Sequence, residues 1–147
     1  MANSSSTITY DNGLDHVGQH GHVRKILIDW TSDDSDGTVT ATTEKIVGVL
    51  LKVQTDPGVT APSDNYDIVI TDTESVDVLS GLGGSGGSSP SLANRDTANT
   101  EVVHLWAENA ATDSVPGTQP YVCDKLAVAV TNAGNSKQGQ IIIYYLV

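Results

Sequence analysis

Apolar and polar residues alternate with a period of two along most of this chain, the spacing of a β-strand whose side chains point to opposite faces. Over residues 22–30, Ile26, Ile28 and Trp30 fall on one face, and Val23, Leu27 and the charged Lys25 and Asp29 on the other. The turn sequence of residues 32–37 ends in Asp-Gly, and residues 38–43 alternate again, which predicts a hairpin with the preceding strand. Residues 46–53 place Val47, Val49, Leu51 and Val53 on one face, and Gly48 and Lys52 on the other, as a core strand does. Tyr66, Ile68 and Ile70 mark the next strand, and the stretch to Leu79 reads as two strands or one bent strand.

Residues 101–107 alternate Val103, Leu105 and Ala107 against Val102, His104 and Trp106, and residues 121–130 hold one strand or two, with Leu126, Val128 and Val130 facing together. Residues 132–139 read as a hairpin loop into the final strand. That last segment, 141–147, is apolar on both sides: Ile141, Ile143, Tyr145 and Val147 on one, Ile142, Tyr144 and Leu146 on the other. A strand of that kind must be covered twice, and in a short chain a neighbouring subunit can supply the second cover.

The alternation predicts an all-β fold, an antiparallel β-sandwich or jelly roll of about eight strands. Residues 1–21 are polar and turn-rich and read as an N-terminal arm, ahead of a single domain over 22–147. The Gly/Ser-rich stretch 80–91 reads as a long exposed loop within that domain, because the strands on either side are too few for two independent units. At 147 residues the chain is long enough for a core that folds without staples.

Charge narrows the partners. Eighteen acidic residues against seven basic ones give a formal net charge of −11, which disfavours nucleic acid. The N-terminus carries no basic leader or apolar stretch of signal length, and no apolar run is long enough to span a bilayer, so a soluble protein made in the cytoplasm and independent of membranes is expected. The single Cys123 lacks an internal disulfide partner and, in Tyr-Val-Cys-Asp, reads as an inert apolar strand residue.

Candidate chemistry is thin. Asp33, Asp34 and Asp36 before Gly37 cluster carboxylates as a calcium loop does, but lack the spacing and the late Glu, so a solvated turn is the better reading. His16, His20 and His22 lack a fixed third metal ligand nearby. The glycine-rich stretch lacks the lysine and following helix of a phosphate loop, His104 lies mid-strand among apolar residues, and Asp72 and Glu74 sit in a turn. The expectation is a binding protein with no catalytic residue, metal or cofactor.

Three segments carry a resemblance: Tyr66-Asp-Ile-Val-Ile-Thr-Asp-Thr-Glu-Ser-Val-Asp-Val-Leu79 with the glycine stretch after it, Leu92-Ala-Asn-Arg-Asp-Thr-Ala-Asn-Thr-Glu101, and the closing segment from Leu126 through Tyr145. Together they resemble small structural proteins of tailed bacteriophages that decorate or cement the capsid, over roughly residues 20–147 with the arm unmatched. The resemblance implies a β-sandwich or jelly-roll module, often trimeric, seated on the outside of the head and bridging subunits of the major capsid protein. On that reading the arm contacts the capsid through Ile8, Tyr10, Leu14, Val17, His20 and His22. Ile141, Ile143, Tyr144, Tyr145 and Val147 would make the oligomer contact, with Asn94, Arg95 and Asp96 as a second interface. A tail, neck or head-fibre component, or a carbohydrate-binding β-sandwich, remains an alternative from the residues alone.

Overall fold

The structure, a computed structural model, describes residues 3–11, 23–79, 92–105 and 120–147. They hold ten strands and no helix: β1 (Ser5–Asp11), β2 (Val23–Thr31), β3 (Val39–Thr42), β4 (Ile46–Pro57), β5 (Tyr66–Thr71), β6 (Leu92–Arg95), β7 (Glu101–His104), β8 (Tyr121–Asp124), β9 (Ala127–Thr131) and β10 (Gln138–Leu146). All pair antiparallel, in a six-stranded sheet ordered β1-β2-β10-β4-β7 with β8 also on β4, and a four-stranded sheet ordered β3-β9-β5-β6. The two sheets enclose one core and form a β-sandwich. Ile26, Ile28 and Trp30 of β2, Ile141 and Ile143 of β10, Ile68 and Ile70 of β5, and Val128 and Val130 of β9 are all buried in it. The Trp30 and Tyr66 rings meet across the sheets at 5.9 Å between centroids.

Neither expected hairpin forms. β2 and β3 lie in different sheets, as do β9 and β10, so the connections 32–38 and 132–137 both cross the sandwich. They cross side by side. Ser32 N donates to Lys137 O at 2.8 Å, the Ser32 hydroxyl donates to Gly134 O at 2.6 Å, and Ala133 N donates to Gly37 O at 3.3 Å. Gly37 and Gly134 adopt left-handed φ of 70° and 82°, and a Cβ on Gly37 would stand 2.9 Å from Gly134 N. Turn chemistry that resembles a hairpin's is here used to change sheets, because each strand buries its apolar face by pairing with a partner distant in sequence.

β4 departs from its predicted facing. Tyr144 pairs with Lys52 and Tyr145 with Leu50, so Leu51 is an extra residue, a β-bulge. Ile46 and Leu50 point inward before it and Val53 and Thr55 after it, whereas Val47 lies on the outer face, 45% exposed. The bulge divides one edge of β4 between two partners, β8 on Ile46–Val49 and β7 on Lys52–Thr55. Residues 121–130 are two strands belonging to different sheets, and residues 66–79 hold one strand followed by a turn closed by a Thr71–Asp77 bridge. Ala107 and Trp106, like the loop 80–91, lie outside the described residues.

The start of the expected arm is a strand. β1 pairs with β2 in regular register from Ser5–Thr31 to Asp11–Lys25 and forms the edge of the larger sheet, its Ile8 and Tyr10 packed against the core. Threonines and serines fill its outward positions, and that is why the segment reads as polar.

Candidate association surface

The terminal strand is central in its sheet, hydrogen-bonded to β2 on one side and β4 on the other. Its inner face, Ile141, Ile143 and Tyr145, is covered by the chain's own second sheet and is buried. These three are core residues and not an oligomer contact, a correction to the reading from sequence. The outer face is another matter: Ile142 and Tyr144 are half-buried, Leu146 is exposed, and Val147 at the chain end is exposed as well. Tyr144 carries the Lys52 ammonium over its ring at 4.3 Å.

Of the residues expected to reach a partner from the arm, Ile8 and Tyr10 face inward, and the Tyr10 hydroxyl accepts a hydrogen bond from Glu44 N at 2.6 Å. Both serve the chain's own fold. Leu14, Val17, His20 and His22, with His16, lie outside the described residues.

Arg95 is buried and pairs within the chain, its guanidinium 3.6 Å from Glu101 Oε2. Asp96 N donates to the same carboxylate at 2.8 Å. Asp96 itself accepts from Asn99 Nδ2 at 2.9 Å and Ala98 N at 2.6 Å, and these bonds hold its carboxyl below the usual range. The second expected interface is therefore a turn closed upon itself, with Arg95 as its inner anchor. The side chain of Asn94 is not among those described.

The acidic turns are likewise spent on local structure. The Asp33 carboxylate accepts from the hydroxyl and backbone N–H of Ser35, which lowers its pKa, and the Asp36 carboxylate accepts from the hydroxyl and backbone N–H of Thr38. Asp72 accepts from Glu74 N and Val76 N. Asp124 accepts from Thr73 and Lys125 N, again with a lowered pKa. Among the described residues, no three of His, Cys, Asp and Glu gather as a metal site. His104 is exposed on the outer face opposite Lys52. Cys123 is exposed too, paired with Val47, so its strand turns it toward solvent and not into the core.

The described surface has one distinctive region, the outer face of the six-stranded sheet. At one end Val23 pairs with Leu146, Leu146 with Val49, and Val49 with Tyr121, and these outward residues lie side by side. Val23, Val47, Val102, Tyr121 and Leu146 are all at least 37% exposed. At the other end the face is polar and concave, a cleft of about 480 Å³ lined by Ser5, Thr7, Asp29, Asp56, Gln138 and Gln140 over a floor that includes Gly139 and Trp30. Sequence reading missed the apolar cluster because it is built across four strands; no single stretch displays it.

No family model matches the chain, and no curated protein matches it. Among solved structures, a chain from the Bacillus endospore appendages, a family of disulfide-linked pili, is similar at 17% identity and a TM-score of 0.30, with 100% of this chain and 95% of that chain covered. A likeness of that size says nothing about function here.

Proposed function

We propose that this chain is a non-enzymatic structural protein of a phage virion, which binds the outer surface of the head and cements subunits of the major capsid protein. The observation that supports it is the apolar end of the outer sheet face. There Val23, Val47, Tyr121 and Leu146 stand in water, and covering them on a partner returns about 25 cal/mol per Å² of apolar surface. The resemblance of residues 66–79, 92–101 and 126–145 to head decoration proteins supplies the identity of the partner. The net charge of −11 keeps the remaining surface soluble.

The mechanism is linkage. A protein that binds the expanded shell, and not its precursor, stabilises the expanded state by RT ln(1 + [L]/Kd) per site, with no turnover. Sedimentation with expanded, undecorated phage heads tests this. The expected result is saturable binding of hundreds of copies per head, on the order of the number of capsid subunits, and its loss in a Tyr121→Asp/Leu146→Asp variant. A protein that stays in the supernatant, or that binds only tail or neck assemblies, overturns it.

A further inference from the structure

The outward residues of β2, β10 and β4 form a grid whose charges are ordered by row. Tyr144 pairs with both Lys25 and Lys52, Ile142 with Leu27 and Gln54, and Gln140 with Asp29 and Asp56. Across these three strands the grid therefore has a lysine row, a neutral row and an aspartate row, and the lysine row ends in Asp11 on β1, paired with Lys25, and in His104 on β7, paired with Lys52. β2 and β4 run in the same direction, both antiparallel to β10, so each reads base, neutral, acid along its outer face: Lys25, Leu27, Asp29 and Lys52, Gln54, Asp56. Contacts within the grid show that these side chains share one face, with Gln140 Nε2 donating to Asp29 Oδ1 at 2.6 Å and Lys52 over the Tyr144 ring. The described strands lie either in this sheet or against its inner face, and none covers the grid.

We infer that this face binds a second copy of the chain about a two-fold axis that crosses the strands at Ile142. Rotation about that axis leaves each strand over its own counterpart, reversed, and exchanges the outer rows. Lys25 then meets the partner copy's aspartate at position 29, Lys52 meets the one at 56, and the symmetry repeats both pairs. Leu27, Ile142 and, in the same row, Val102 form the apolar seam at the axis. Shape follows the same exchange: the cleft over Gln138 and Gln140 receives the Tyr144 and Leu146 end of the other copy's β10, so the dimer of the free protein and the capsid contact proposed above compete for Leu146 and its neighbours.

The alternative two-fold, parallel to the strands, stacks lysine on lysine and aspartate on aspartate, and charge excludes it. A three-fold ring, which the resemblance to decoration proteins implies, joins two different surfaces, whereas this grid complements itself, the mark of an isologous contact. Five strands at about 4.8 Å spacing and four side-chain rows beyond the first give on the order of 600 Å² per copy, near the lower end of stable interfaces.

The test is independent of capsid binding, because it uses the purified chain alone. Light scattering is expected to give twice the chain mass of 15.4 kDa. Lys25→Asp/Lys52→Asp and Asp29→Lys/Asp56→Lys should each weaken self-association by more than about tenfold. An equimolar mixture of the two should recover the doubled mass as a heterodimer, which only opposed rows can produce. A monomeric or trimeric wild type, an unchanged dissociation constant in either variant, or a mixture that stays monomeric overturns the proposal. Should a double variant lose its β-sheet circular dichroism, Ile142→Glu sets a charge against itself at the axis: more than tenfold weaker association supports the two-fold, and unchanged association overturns it.

Discussion

Gly139 stands in the central strand where the Trp30 indole closes on its backbone. A Cβ there would sit 2.4 Å from Trp30 Cζ2 and 2.8 Å from Cε2, with Asp56 O at 3.1 Å on another side. Indole and strand are both fixed, so Gly139→Val is expected to cost about 1–3 kcal/mol by overpacking, seen as a lower urea midpoint at unchanged m-value. Tyr66, on the opposing sheet, is the buried titratable partner of that tryptophan. Burial disfavours its phenolate and pushes its pKa from 10 to about 12, against a smaller downward pull from its hydrogen bond with Thr55. The folded value lies above the unfolded one, so this contribution to stability is complete below pH 10 and disappears as pH rises through 12. Between those values the protein should lose stability relative to Tyr66→Phe by about 1.4 kcal/mol per pH unit, measured by urea melts of both. Tyr66 was legible from sequence as a strand residue; its contact with Trp30 was not, since 36 positions of chain separate them.

At the scale of elements, the strands were legible wherever alternation is unbroken, as in β2 and β5. β4 was found but faced wrongly, because one bulged residue at Leu51 inverts a period-two reading on one side of it. β1 was missed as a strand because an edge strand buries little and its outward positions are polar. The Arg95–Glu101 pair shows the same limit: adjacent charges in a turn look solvated, yet β6 folds Arg95 under the surface while Glu101 at the start of β7 reaches it. Glu101→Ala leaves that guanidinium without its carboxylate and Asp96 N without its acceptor. The expected loss is about 1–3 kcal/mol, less than for a fully buried pair because Glu101 is 31% exposed, and thermal melts will register it.

For the molecule as a whole, the sandwich is held by pairings distant in sequence, with β10 between β2 and β4 as its spine. Amides of β10 bonded on both sides should therefore exchange with deuterium most slowly, and those of the edge strands β1, β7 and β8 faster; mass spectrometry of timed digests would give the order. A β10 that exchanges as fast as β1 would contradict this topology. The sequence by itself determined the class of fold, the strand-forming segments where alternation is unbroken and the acidic exterior, because period, turn residues and net charge are local or additive properties. Only the tertiary structure decided which strands pair, which side of β10 is core, and which charges share a face. Those depend on register between segments far apart in the chain, where a shift of one residue exchanges the inside of a strand for its outside.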